Sequence, residues 1–259
     1  AVLQSLGGML GRLDRAMQGF MHPGALRTFD WDMRAAGLSR QRLKYIDNAE
    51  DRALLGRFLD RFEARVAPRL PRLRAAVIHN DANDWNVLVD PDNPGKIAGL
   101  IDFGDALHSV LIAEVAVACA YSILDLDDPI GAAVAIVAGF HAEYPLQEQE
   151  LDLLFDLIAM RLVTSVTLSA QRKDKTDDNP YLAISEAPAW ALLRRLDAIN
   201  PGFATAIFRH ACGYDASAGA KAVAGWIKRN NRTFAPVLTQ HPATAAKALV
   251  PYGDPENAS

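Results

Sequence analysis

From Val77 to Gly104 the chain reads Val-Ile-His-Asn-Asp-Ala-Asn-Asp-Trp-Asn-Val-Leu-Val-Asp, a turn, then Lys-Ile-Ala-Gly-Leu-Ile-Asp-Phe-Gly, and no other segment restricts the fold as tightly. Val87-Leu88-Val89 is a short apolar strand, Asp90 to Gly95 is dense in turn formers, and Lys96 to Ile101 is a second strand. Antiparallel pairing of the two brings the residue that opens the first beside the residue that closes the second. Asn86 and Asp102 then face each other at one end of a hairpin. An amide oxygen and a carboxylate are the hard donors that magnesium (Mg2+) takes. Asp81 lies on the loop just before, free to orient a hydroxyl and take its proton. The expected chemistry is phosphoryl transfer, with Asp81 as catalytic base, Asn86 and Asp102 as metal ligands, and His79 bracing the catalytic loop from behind.

Asp and Asn are common turn residues, so Asp81 or Asn86 alone would mean little. The ordered set His79, Asp81, Asn86 is roughly a one-in-a-hundred accident in a chain of this length at ordinary residue frequencies. An Ile-Asp-Phe-Gly closing the next strand makes accident rarer still.

On these residues the segment resembles the catalytic core of the aminoglycoside phosphotransferase and choline kinase superfamily, small-molecule relatives of protein kinases, and within it the hydroxylysine kinase branch. The Asp-Phe-Gly-Asp at 102–105 followed by Glu114-Val-Ala-Val-Ala-Cys-Ala-Tyr121 carries the second likeness. The resemblance implies the same roles for Asp81, Asn86 and Asp102, and makes Glu114 a carboxylate supporting the catalytic loop. It implies ATP as donor, with GTP as an alternative, and an α+β, predominantly helical fold: the C-terminal lobe of a protein-kinase-like enzyme around a small catalytic hairpin.

One departure stands beside the matches. Kinases of this kind cover the phosphates with a glycine-rich strand-turn-strand and pair them with a strand lysine. The early cluster Gly7-Gly8-Met9-Leu10-Gly11 lies within an apolar helical repeat, Leu3, Leu6, Leu10, Leu13 and Met17, and small residues that let a helix pack closely account for it. No Val-Ala-x-Lys-like strand precedes the loop, and Lys44 falls among helices and loops. The chain is therefore expected to be a catalytic lobe lacking its nucleotide-clamping partner and inactive alone.

Half of the 259 residues are hydrophobic, which predicts one domain with a generous core; no transmembrane-length apolar run and no signal-peptide pattern stand out. Two cysteines, Cys119 and Cys212, are too few for a disulfide framework, so a cytoplasmic setting is the default. The net charge is −4, and basic clusters are short (Arg69 to Arg74), which argues against nucleic acid or an anionic membrane as partner and suits a cationic small molecule.

Periodicity and breakers predict helices over about 2–18, 48–66 (capped by Asn48), 110–124, 129–143, 146–170, 184–199, 202–212 and 216–229, with a short segment around Phe29 to Ala36. The β structure is confined to Ala75 to Ile78 and the hairpin, everything after the hairpin being helical. Gln171 to Pro180 reads as a mobile charged loop. Residues 1–232 form the catalytic lobe and 233–259 a proline-spaced, linker-like tail. The branch resembles domains joined to aminotransferase-type domains, which leaves fusion to a further catalytic domain open.

For the acceptor, the resemblance suggests an amino alcohol or hydroxylated amino acid such as hydroxylysine. Asp105, Trp85, His108, Tyr121 and Arg161 are the polar or aromatic residues best placed in sequence to meet it. Each also has a structural reading: Trp85 wedging the loop against the core, Tyr121 with its hydroxyl at the surface, Arg161 in a buried ion pair within its apolar stretch. Asp125, Asp127 and Asp128 before Pro129 read as a helix cap. Two other classes remain open: a kinase-like regulatory module without catalysis, and a metal-dependent hydrolase ligated by His79, Asp81 and Asp102, for which His141 and His210 offer no nearby partners.

Overall fold

The computed structural model describes residues 1–174 and 186–217, with isolated positions up to 229. The predicted helix at 216–229, most of the charged loop and the tail at 233–259 fall largely or wholly outside the described residues.

The helical set is α1 (Val2–Ala16), a short α2 (Ser39–Arg42), α3 (Ala49–Arg61), α4 (Ile112–Ser122), α5 (Pro129–Glu143), α6 (Glu148–Asp174), α7 (Glu186–Asp197) and α8 (Pro201–Ala211). Caps set several starts. The Asn48 side chain accepts from the amides of Glu50 and Asp51, Asp128 accepts from Gly131 ahead of α5, and Asn200 serves α8 in the same way. Asp128 is thus a cap, with Pro129 at the first helical position. α3 runs on through a π-helical turn, Phe62–Val66.

The centre of the molecule is α6, whose buried face includes Leu154, Leu157, Ile158, Leu162 and Val163. Its apolar stretch is long enough by length and composition to cross a membrane, which inspection of the sequence overlooked; 89% of that stretch is buried among other elements, as in the core helix of a globular domain. α6 also continues through Gln171 to Asp174, so the start of the predicted loop is helix. α4 packs beside it with every residue from Ile112 to Ala120 buried, Cys119 included.

The early glycines are a packing seam. A Cβ on Gly7 would lie 2.0 Å from the carbonyl oxygen of Ile136, and one on Gly139 would lie 2.1 Å from that of Gln4. α1 and α5 therefore meet backbone to backbone, a contact only glycine permits.

Four strands make two antiparallel pairs. β2 (Val87–Asp90) and β3 (Asn93–Leu100) form the expected hairpin, with Val87 opposite Leu100 and register shifts on either side of Val89. β1 (Ala75–Ile78) pairs with β4 (Leu107–Val110), Val77 opposite His108. β4 corrects the expectation that everything after the hairpin is helical. It is stapled from outside: Ser109 donates to the Asp32 carboxylate at 2.6 Å, and Arg34 donates to the His108 carbonyl at 2.5 Å.

Candidate active site

The two β pairs deliver the candidate chemical groups to one region by different routes. β1 ends at Ile78 and passes directly into His79-Asn80-Asp81, so a buried strand fixes where the loop begins. Asn80 holds the left-handed backbone, φ +66°, that lets the chain turn outward at that point. His79, 1% exposed, spans the loop: its Nε2 lies 2.9 Å from the Ile101 carbonyl, and the Asp81 amide donates to its Nδ1 at 3.3 Å. Those partners select the tautomer with the proton on Nε2. The Phe103 ring packs edge-on against the imidazole at 4.7 Å.

Asp81 faces a cavity of about 710 Å³ bounded by the loop, the hairpin, α1, α4 and α6. Its Oδ2 accepts from the side-chain amides of Asn83 (3.1 Å) and Asn86 (2.9 Å), and its Oδ1 accepts from Arg161 (3.3 Å). Three of about four acceptor positions are filled, which leaves room for one more proton donor. Burial pushes the Asp81 carboxyl above its usual range, Arg161 pulls it back, and Asp105 adds to the rise. Asp105, also on the cavity wall, is raised by its own burial against the pull of Arg161 and Arg27.

Asn86 is buried, and its amide nitrogen donates to both the carbonyl and the carboxylate of Asp81, which turns its oxygen away from them. The Ile101 amide donates to the Asn86 carbonyl at 3.0 Å, so the hairpin closes next to Asp102. Asp102 has φ +60° and one carboxylate oxygen on the Gly104 amide at 3.1 Å. Arg27 clamps the same turn by donating to the carbonyl of Gly104 at 2.6 Å. Asn86 and Asp102 thus bring two hard oxygens to the open end of the hairpin, opposite its turn, donors that would suit a divalent cation. Among the described residues no group of three His, Cys, Asp or Glu side chains could ligate a metal, which leaves the hydrolase reading without its ligand set.

Glu114 lies behind the loop, fully buried on α4, and its Oε2 accepts the Asn80 amide at 3.0 Å. Arg161, 1% exposed, is the hub of the cavity's inner wall. It donates to the Trp31 carbonyl (3.0 Å), the Tyr121 hydroxyl (3.1 Å) and Asp81, and stacks 4.5 Å over the Trp31 ring. Its ion-pair partner is thus Asp81 itself.

Of the five residues expected around the acceptor, Asp105, Trp85, Tyr121 and Arg161 line the cavity. His108 does not; its strand turns it to the β1–β4 pair. Trp85 is 62% exposed, so it does not wedge the loop into the core, and Tyr121 presents its hydroxyl to Arg161 instead of to the surface. Sequence reading passed over Trp31, Asn83 and Arg27. Asn83 carried a local signal, since its Oδ1 receives the Trp85 and Asn86 amides in an Asx turn that shapes the loop. Trp31 and Arg27 lie too far away in sequence to have carried one.

Comparison with solved structures shows the fold first. The chain superposes on the microcompartment-associated aminopropanol kinase with a TM-score of 0.58 at 21% identity, covering 77% of this chain and 64% of that one. Amicoumacin kinase hAmiN, solved in complex with AMP-PNP, Ca2+ and Ami, superposes with a TM-score of 0.51 at 15% identity, over 77% and 61%. The architecture is a predominantly helical α+β fold of the protein-kinase-like kind.

Residues 1–153 match the Phosphotransferase enzyme family (APH), and the chain belongs to that family. Curated relatives include hydroxylysine kinase of Danio rerio, 29% identical over 202 residues, and that of Mus musculus, 27% identical over 205. Each alignment covers 75% of this chain, and the chain spans about half the length of these relatives, 57% and 54%.

Proposed function

We propose that this chain is the acceptor-binding and metal-binding part of a small-molecule kinase that transfers the γ-phosphoryl group of ATP, or of GTP, to a hydroxyl of a small amino compound. The observation that carries this reading is Asp81: a half-buried carboxylate, raised by its burial, held on three donors with one acceptor position left facing the cavity. Asp81 accepts the acceptor's hydroxyl proton as the bond to phosphorus forms, and a carboxylate raised above its ordinary range does so with more driving force. Arg161 and Asn86 fix the direction in which its free lone pair points. Asn86 and Asp102 would hold a divalent cation, Mg2+ by the hardness of the donors, which when bound neutralises charge on the transferring phosphate. Asp105 and the exposed ring of Trp85 line the cavity and suit an ammonium group, while Arg161 already pairs with Asp81 and covers Trp31. The hydroxylysine kinase relatives and the aminopropanol kinase fold support an amino alcohol or hydroxylated amino acid as acceptor.

We further propose that the 259-residue chain turns over slowly on its own. Among the described residues no strand-turn-strand precedes the catalytic loop, and the lysine that does lie on a strand, Lys96 of β3, follows that loop and pairs with Asp90; alignment of the phosphates is most of what this chemistry asks of the protein. A regulatory, non-catalytic module is the second reading, and the completeness of the Asp81, Asn86 and Asp102 set speaks against it.

The test is nucleoside diphosphate release by the complete polypeptide, wild type beside Asp81→Asn, against hydroxylysine, ethanolamine, choline, homoserine and an aminoglycoside. Release with one acceptor, lowered about 10²- to 10⁴-fold in the variant, is expected. Full activity in the variant would remove Asp81 as the base. Silence across the panel from a folded protein would favour the module.

A further inference from the structure

α1 carries a residue that its apolar face does not explain. Asp14 follows Leu10 by one helical turn, points inward, and is 0% exposed, with no hydrogen-bond partner on either carboxyl oxygen. Its electrostatic neighbour is Glu114, equally buried, whose Oε1 is also without a partner. Glu114 in turn holds the amide of Asn80, and the Asn80 side chain, 0% exposed, has both Oδ1 and Nδ2 unpartnered. Three linked elements (α1, α4 and the catalytic loop) thus hold five buried, unpaired polar atoms. Native interiors leave only a few such atoms unpaired per hundred residues, and Asn80 has donor and acceptor both to offer.

Two carboxylates side by side in an apolar interior do not both ionise. The asymmetry between them decides which keeps the proton. Glu114 receives the Asn80 amide and is further favoured as an anion by His79 and Arg161. Asp14 receives no donor, and burial, then the charge of Glu114, push its carboxyl well above the usual range. The cations of its own helix do not offset this, since Arg12 and Arg15 turn outward to Glu143 on α5.

We propose that Asp14 is a neutral carboxylic acid whose O–H is donated toward Glu114, so that one buried proton ties helix α1 to the catalytic loop, with Asn80 and a trapped water completing the hydrogen bonds. Asp14 is then a positioning residue: it fixes Glu114, Glu114 fixes the Asn80 amide, and Asn80 sets the direction in which Asp81 leaves the strand. The positioning role rests on Asp81 being the base; the location of the proton does not.

The sign of the pH effect follows from the shared proton. An acid whose folded value lies above its unfolded one lends stability fully below the ordinary Asp range, about 3.9, and that stability is lost as pH rises through the folded value. The denaturant midpoint of wild type should fall from pH 5 to pH 8, and Asp14→Asn should flatten that fall and match or exceed wild type at pH 8.

The deciding experiment is infrared spectroscopy of this chain in D2O near neutrality. A protonated-carboxyl C=O band is expected in wild type, absent in Asp14→Asn and retained in Glu114→Gln. No band in wild type overturns the proposal, as does a band lost in Glu114→Gln or kept in both variants. The wild-type and Glu114→Gln spectra decide the matter even if Asp14→Asn fails to fold. In the complete polypeptide, Asp14→Leu should lower kcat about tenfold with nucleotide KM little changed, and Asp14→Asn, which still donates, should restore it. Equal kcat in all three would remove the positioning role and leave the proton in place. Loss of the Asp81 assignment would leave the infrared result untouched.

Discussion

β1–β4 keeps an unbroken register from Ala75 opposite Val110 to Ile78 opposite Leu107 and is buried at the Ile78–Leu107 end, whereas β2–β3 shifts register twice and leaves Leu88 47% and Val89 45% exposed. The first pair feeds the loop that bears Asp81; the second ends on Asn86 and Asp102. In the proposed reaction a proton acceptor must be held to fractions of an ångström against its donor, and a strand paired in register and buried at that end would do so. A cation held in the proposed way, by Asn86 and Asp102 together with other ligands, would tolerate a looser mount. The irregular ribbon is anchored at its open end by the Ile101 amide on Asn86 and at its middle by Ile97, whose amide donates to Ser5 of α1 at 2.9 Å.

The contrast is broken most directly by shortening a buried side chain on the regular pair. Leu107→Ala should cost about 2–5 kcal/mol of stability, read as a shift in the urea midpoint, because Leu107 is fully buried and the cavity would not collapse. Arg161→Lys comes next, at about 2 kcal/mol. A lysine loses the Trp31 stack and satisfies fewer of the Trp31, Tyr121 and Asp81 acceptors at once. An unchanged midpoint there would mean that Asp81 is oriented by its loop alone. On the ribbon, Asp102→Ala should leave the fold intact and weaken nucleotide binding in the presence of divalent cation about tenfold, roughly 1.4 kcal/mol, in titrations of the complete polypeptide. Undiminished affinity would take the metal role from Asp102. The smallest effect belongs to Leu88→Thr, within about 0.5 kcal/mol of wild type, since an exposed strand position has little to lose. A larger loss would show that the hairpin's outer face is packed in solution.

The same contrast explains what the sequence could disclose. The hairpin announced itself because its strands, turn and polar ends are contiguous, and the helices because their caps are local, as Asn48 and Asp128 illustrate. β4 was invisible: Leu107 to Val110 is four residues, and its partner lies some thirty residues upstream across an entire hairpin, so no short-range turn marks the pairing. The burial of Arg161 was readable from its apolar flanks, but its partners come from residues 31, 81 and 121, which only the folded chain assembles. Asp14 did leave a trace, a carboxylate one turn beyond Leu10 on an apolar stripe. Its meaning depended on Glu114, a hundred residues away.

The seam between α1 and α5 carries a consequence for how this protein tolerates change. Gly7, Gly11 and Gly139 touch backbone atoms of the opposite helix, so every other residue type forces the helices apart. In a saturation mutagenesis survey these positions should be as intolerant as Asp81, although they lie outside the cavity wall. A glycine-rich signature near the start of a phosphotransferase chain invites assignment as a phosphate-gripping loop. Here the selective constraint would record the thickness of a missing methyl group between two helices, and lineages that swap one glycine should do so only alongside a compensating reduction across the seam.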